Sequence, residues 1–195
     1  MHIYPRYKIA FIRIPKTAGS SMLGALANHE AHEPELSCLN GYSLDMSSYL
    51  RFTFVRNPWD RAFSYHCYSL GWGDPKDLSK ESFNDFVKSD LTKVNKGSFF
   101  EIMTRPQVSF IMDKDGKPWT NFVGKYESLE EDWDRVIKHL REAGTECPVD
   151  SFKLKKSNAS KHRAGGNYKD FYDQQSIDIV GEKYKEDINY FNYNY

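Results

Sequence analysis

Residues 8–21 of the chain read KIAFIRIPKTAGSS, and this stretch decides the fold. The run KIAFIRI mixes β-branched and aromatic side chains over the length of one strand and stops at a proline, which predicts a buried strand over residues 8–14. Ser20 or Ser21 can then cap a helix that runs to about residue 28. The stretch therefore predicts a strand, a loop and a helix in succession.

A second strand followed by a helix begins at residue 49. Residues 49–55, YLRFTFV, predict another buried strand. Asn57 followed by Pro58 is typical of a helix start because proline suits the first helical turn, and we expect this helix over residues 58–70. Strands that alternate with helices predict an α/β fold with a central, mostly parallel sheet flanked by helices, in which ligands bind at the carboxyl ends of the strands.

The rest of the chain predicts helices, one hairpin and two loops. The helices are expected over residues 82–88, 129–143 and 173–191. Asp115 and Gly116 lie between two runs typical of strands, residues 108–112 and 121–126, which predicts a β-hairpin. Two segments without a sustained period are expected to be mainly loop, residues 30–48 and 153–167.

Size and charge restrict the class of protein. A chain of 195 residues fits one domain, expected over residues 1–195, and 39% hydrophobic residues suffice for a core. Lys plus Arg equals Asp plus Glu at 27 each, which argues against a nucleic-acid partner gripped through a broad positive field. The three cysteines have neither disulfide nor zinc-site spacing, so no metal is expected. Without a long apolar run, we expect a cytoplasmic chain with no membrane span, although truncation of an anchored enzyme stays open.

The loop between the first strand and helix has the features of an anion cradle. Main-chain N–H groups at such a turn point to a common anion, the helix dipole favours negative charge, and Lys16 adds a point charge. As a nucleoside triphosphate loop the motif is defective, because the lysine precedes the glycine. The loop predicts a phosphate or sulfate site, and an ordinary strand-to-helix turn with an incidental lysine is the alternative.

The second motif is FVRNPWDRAFSY at residues 54–65. Arg56 closes a strand and Ser64 lies two turns along the following helix, so a guanidinium and a hydroxyl can converge on one anion. The alternative is that Arg56 pairs with Asp60 or with a carbonyl at a helix end.

These two segments resemble the signature elements of the sulfotransferases that use 3′-phosphoadenosine 5′-phosphosulfate (PAPS), especially the carbohydrate type, sulfotransferase family 2. The resemblance implies a P-loop-like three-layer fold and transfer of a sulfuryl group from PAPS to a hydroxyl, with adenosine 3′,5′-bisphosphate as product. By this resemblance Arg56 and Ser64 clamp the 3′-phosphate. The loop for the 5′-phosphosulfate would comprise Lys16, Thr17, Ala18, Gly19, Ser20 and Ser21. Residues 121–133 and 179–193 resemble later elements of the same family.

The resemblance also implies further ligand contacts and a general base. Tyr126 would lie near the adenine, and a basic loop with Lys161 and Arg163 would cover the 3′-phosphate. Lys16 would stabilise charge on the leaving oxygen without a metal. His32, which lies between the two phosphate motifs, is the favoured base, and His66 is the second candidate.

Two other classes of protein stay open at this point. A P-loop kinase or NTPase has the same strand, loop and helix and would require Mg²⁺. A non-catalytic nucleotide-binding module would keep the anion cradle and lack a base. The resemblance implies a glycan or another alcohol as acceptor; the residues themselves predict neither the acceptor nor the oligomeric state.

Overall fold

Within the part of the chain that the structure describes, the strands β1 His2–Tyr4, β2 Ile9–Ile12, β3 Leu50–Val55 and β4 Phe122–Lys125 form one sheet in the order β1-β2-β3-β4. The computed structural model describes residues 1–27, 46–71, 78–93, 97–143, 148–154 and 167–195. β1 pairs antiparallel with β2, while β2, β3 and β4 are parallel. Together with the helices, this sheet confirms the predicted α/β fold.

The helices occupy the segments between and after the strands. Their bounds are α1 Gly19–Ala27, α2 Pro58–Leu70, α3 Lys80–Asp85, α4 Phe99–Thr104, α5 Val108–Ile111, α6 Leu129–Glu142, α7 Gln174–Lys183 and α8 Lys185–Phe191. The predicted helices after the first two strands and over residues 129–143 are confirmed within one or two residues at each end. None of the helices in the described ranges combines the length and the apolar composition that a membrane span requires.

The chain divides into two compact units. The sheet unit comprises Met1–Val55 and Phe110–Ser157, and the helical unit comprises Arg56–Ser109 and Asn158–Tyr195. That residues 1–195 act as one domain stays a prediction.

Aromatic rings fill the core of the sheet unit. Phe11 and Phe52 stack on neighbouring strands with ring centroids 5.0 Å apart, and Phe52 meets Trp133 of α6 edge to face. Trp133 donates its indole N–H to the carbonyl of Phe152 at 2.8 Å, so its polar atom is satisfied inside the core. Burial of this apolar face of the sheet against α1 and α6 stabilises the strands whose ends carry the candidate site.

The helical unit has a separate aromatic core. Phe63 of α2, Phe83 of α3 and Tyr172 pack edge to face, and the Tyr172 hydroxyl donates to the carbonyl of Trp59 at 2.8 Å. Asn57 caps α2 by accepting a hydrogen bond from the N–H of Trp59 at 3.1 Å. The start of α2 is therefore fixed by the Asn-Pro pair that the sequence analysis identified.

The predicted hairpin is wrong, because Val108–Ile111 form the helix α5 and the second segment, β4, pairs in parallel with β3. The carboxylate of Asp187 accepts the N–H of Val108 at 2.9 Å and so holds the first turn. The following turn closes on Asp113, which accepts the N–H groups of Asp115 and Lys117, and a single bridge joins Met112 to Pro118. Asp187 is distant in the sequence, so local patterns could not indicate its effect on this segment.

The C-terminal segment differs from the prediction of one helix over residues 173–191. α7 and α8 are separated at Tyr184, whose φ of −110° and ψ of 25° depart from helical values. Its buried hydroxyl donates to the carbonyl of Thr104 at 2.8 Å, and this hydrogen bond holds the tyrosine at the break. β1 and α4 were not predicted, because β1 is shorter than a typical strand and α4 is shorter than two helical turns.

Candidate functional site

The loop that follows β2 has an unusual backbone for its residue types. Lys16 and Ala18 have φ values of 68° and 65°, which L-residues with a Cβ seldom adopt. Thr17, between them, is fully buried and donates its hydroxyl to the carbonyl of Ile14 at 2.9 Å, which closes the turn. Successive residues of opposite backbone handedness direct their N–H groups into one concavity, a geometry that suits an anion.

The helix α1 continues directly from this loop. It begins at Gly19, so Ser20 and Ser21, the two serines predicted as possible caps, both lie inside its first turn, and the N–H of Ser21 donates to the carbonyl of Ala18 at 2.9 Å. Ser20 is partly exposed and Ser21 is buried. The positive end of the helix dipole and the loop N–H groups therefore act on the same region.

Arg13 is a cation beside this loop that the sequence analysis missed. Its Nη2 donates to the Ser20 hydroxyl at 3.3 Å, and a Cβ added at Gly19 would lie 2.7 Å from its Cγ. The sequence feature that could have indicated it is its position three residues before Lys16, directly after β2. Arg13 also lines a cleft of about 410 Å³ in the sheet unit, together with Met1, Ile12, Phe110, Met112, Asp113 and Trp119.

Arg56 follows β3 and belongs to the helical unit, where it is only 3% exposed. Its Nε and Nη2 both lie close to Oδ2 of Asp60, at 2.8 and 2.7 Å. The pairing that the sequence analysis offered as an alternative is therefore present. The carboxylate of Asp60 therefore holds the guanidinium through two of its five donors.

Ser64 lies on the same face of α2 as Asp60, one turn further along, because residues four apart in a helix share a face. Ser64 is buried. Arg56 precedes α2 and contacts Asp60, so the two predicted 3′-phosphate ligands belong to the same unit, and Asp60 lies one helical turn from Ser64.

Tyr126 begins a short 3₁₀ turn directly after β4. Asp132 fixes this turn by accepting the N–H of Lys125 at 2.7 Å and the hydroxyl of Ser128 at 2.8 Å. Tyr126 is half-buried in the sheet unit, at the carboxyl end of the strand next to β3.

The candidate base His66 lies in an aromatic environment on α2. It is 5% exposed, and its ring centroid lies 5.0 Å from that of Phe86 and 5.5 Å from that of Phe83. Burial lowers the pKa of His66 to about 4, although the nearby Asp90 carboxylate opposes this effect. His32, Lys161 and Arg163 lie outside the described residues.

The geometry defines a class of protein, an α/β protein in which a parallel strand is followed by a loop whose backbone suits an anion. Comparison with known families makes this specific. The model of the sulfotransferase family matches residues 1–194, and the chain belongs to this family. The membership supports transfer of sulfate from a donor to an acceptor.

One curated relative comes from Archaeoglobus fulgidus and is described as an uncharacterized protein. It is 33% identical over 92 residues, which cover 47% of this chain and 68% of the relative. No solved structure matches the chain.

Proposed function

We propose that the protein transfers the sulfuryl group of PAPS to a hydroxyl of a carbohydrate or another alcohol. The observation that carries the proposal is the backbone of the loop after β2, with positive φ at Lys16 and Ala18 directly before a helix N-terminus. Such strain concentrates at ligand-binding sites, where pre-organisation has a use.

The two anionic ends of the donor are assigned to different segments. We assign the 5′-phosphosulfate to residues 16–21, whose main-chain N–H groups and serine hydroxyls are donors. The 3′-phosphate is assigned to Arg56 and Ser64, and the adenine to Tyr126. Lys161 and Arg163 are proposed as further contacts to the 3′-phosphate.

PAPS supplies an activated sulfuryl group on a phosphate leaving group. The part of this chain in the reaction is electrostatic, since Lys16 would hold its ammonium at the bridging oxygen as negative charge develops there. Fixed donors aimed at developing charge are usually the largest catalytic contribution, about 10²–10³-fold for one donor. The positive φ of Lys16 fixes the direction in which its side chain leaves the loop.

We propose His32 as the residue that takes the proton from the acceptor hydroxyl. An effective general base has a pKa near the working pH, which the lowered pKa of His66, about 4, does not meet. His66 stays the second candidate, and its burial favours a packing role.

The cleft beside Arg13 supports an alcohol acceptor that carries rings. Trp119 contributes an aromatic surface, while Arg13 and Asp113 contribute polar groups that can bind hydroxyls. This combination of one aromatic surface and a few polar groups suits a saccharide.

The donor assignment is tested by calorimetry with adenosine 3′,5′-bisphosphate. Arg56→Lys keeps the positive charge and loses the paired N–H donors of the guanidinium. It should raise the Kd for adenosine 3′,5′-bisphosphate about 10–100-fold, which corresponds to the loss of hydrogen bonds to a charged group. A second variant, Lys16→Ala, removes the ammonium of the loop. Lys8→Ala is its matched control, because Lys8 also has a positive φ, 51°, and is exposed. Failure of the folded wild-type protein to bind this nucleotide would refute the proposal.

The activity is tested by transfer of radiolabelled sulfate from PAPS to a panel of glycans, glycolipids, phenols and small alcohols without added magnesium. We expect Lys16→Ala to lower turnover about 10²–10³-fold. His32→Ala should abolish most turnover and leave product binding intact, with His139→Ala, an exposed histidine of α6, as control. Binding without transfer to any acceptor would assign a non-catalytic nucleotide-binding module instead.

A further inference from the structure

The main chain of Arg56 is held by the side chain of Gln107. β3 ends at Val55, so the next residue has no partner in the strand ladder. The carboxamide of Gln107 takes that place, because its Oε1 accepts the N–H of Arg56 at 2.9 Å and its Nε2 donates to the Arg56 carbonyl at 2.8 Å. Both polar groups of this peptide segment are thereby satisfied by one fully buried side chain.

Asp187 of α8 fixes Gln107 in turn. Its Oδ2 accepts the main-chain N–H of Gln107 at 2.8 Å and lies 3.3 Å from Nε2 of the same residue, while Oδ1 accepts the N–H of Val108. The carboxylate is fully buried. The carboxamide therefore cannot rotate without breaking hydrogen bonds at both of its ends.

The guanidinium of Arg56 is fixed separately. Asp60 contacts Nε and Nη2, so the direction of the side chain is defined as well as that of the main chain. We propose that Gln107 and Asp187 are positioning residues that act through Arg56 and set the affinity of the protein for a 3′-phosphate. This inference rests on the proposed function.

A purely stabilising role would not require these residue types. Buried charged and polar networks seldom stabilise a fold more than well-packed apolar side chains of the same volume do. What a satisfied polar network provides is one defined arrangement. Here the defined arrangement is that of the residue between the last strand position and the first turn of α2, and a shift of its main chain would move the guanidinium.

The test compares two nucleotides on the full chain, adenosine 3′,5′-bisphosphate and adenosine 5′-phosphate, which lacks the 3′-phosphate. Gln107→Leu keeps the volume and removes the hydrogen bonds. We expect it to raise Kd for the bisphosphate about tenfold, in line with the loss of a residue that orients a ligand group. Kd for the monophosphate should not change. Gln174→Leu is the matched control, since Gln174 is an exposed glutamine of α7 whose side chain donates to Asp178 on the same helix.

A double variant separates positioning from folding. In the background of Arg56→Ala, the change Gln107→Leu should cause no further loss of bisphosphate affinity. If Gln107→Leu does not fold, Asp187→Asn keeps the shape of the carboxylate and should weaken the bisphosphate selectively, by a smaller factor.

The outcomes distinguish the inference from the function on which it rests. If the wild type binds the bisphosphate but the folded variants weaken both nucleotides equally, or lower only Tm, the positioning role is refuted and the donor assignment stands. If the folded wild type fails to bind the bisphosphate, the proposed function fails, and the positioning role fails with it.

Discussion

Replacement of His66 by leucine should make the protein more resistant to acid. His66 is buried against Phe83 and Phe86, and its Nε2 has no hydrogen-bond partner among the described residues. Leucine has a similar volume and no polar atom. At pH 7 we expect His66→Leu to be more stable than the wild type by about 1 kcal/mol. An unsatisfied buried polar group costs about 1–3 kcal/mol, and the repacking of neighbouring side chains around leucine offsets a part of the gain from its removal.

The sign of the pH effect follows from the lowered pKa. In the folded protein the pKa of His66 is about 4, against 6.5 for an exposed histidine. Between these values the unfolded chain binds a proton that the folded chain excludes, so stability falls as the pH falls. Linkage gives a loss of about 2 kcal/mol at pH 5, approaching about 3 kcal/mol at pH 4. Above pH 6.5 the histidine is neutral in both states and this contribution vanishes.

The assay is urea-induced unfolding of the wild type and His66→Leu at pH 7 and pH 5. The wild type should lose about 2 kcal/mol more than the variant over this interval. His139→Leu, on the exposed face of α6, is the control and should follow the wild type. Equal losses for the wild type and His66→Leu would refute the reasoning.

Two further predictions concern the segments that position the site. Asn57→Ala removes the cap of α2 and the hydrogen bond from Nδ2 to the carbonyl of Asn194, and should cost about 1–2 kcal/mol in thermal unfolding; Asn57→Asp, which keeps the cap, should lose less, and an equal loss would contradict the role of the cap. Gly124→Ala places a Cβ 2.5 Å from the buried ring of Phe54 and should cost about 1–3 kcal/mol. Gly181→Ala is the control, because a Cβ at that position would lie 3.5 Å from its nearest neighbour, an ordinary contact with the ring of Trp59. Comparable losses of stability in the two variants would refute the steric argument.

The parts of the fold that local chemistry decides were predictable. The apolar strand before Pro15 and the Asn57 cap before α2 each rest on residues within one turn of the element they define. α5 and the break at Tyr184 were not predictable, because Asp187 and Thr104 determine them through hydrogen bonds to residues about 80 positions away.

The residues of the candidate site also differ in whether local sequence or distant contacts determine their place. Lys16 and Arg56 were predicted as ligand contacts from their places after strands, where ligands of α/β proteins bind. Gln107 could not be found, since it lies in a segment that the sequence predicts to precede a strand, and its role depends on contacts with Arg56 and Asp187. Arg13 was missed because an arginine at a strand end is common and only its contact with Ser20 distinguishes it.

The strain in the loop is itself an argument for chemistry at Lys16. Glycine adopts a φ of 68° without the cost of about 1–2 kcal/mol that a residue with a Cβ incurs. Glycine occupies position 19 instead, where φ is not positive and a Cβ would lie 2.7 Å from Cγ of Arg13, while the positions of positive φ carry lysine and alanine. A loop shaped only to connect β2 with α1 would be more stable with glycine at position 16. The lysine is explained if its ammonium is needed at that point, where the main-chain N–H groups and the helix dipole already favour an anion.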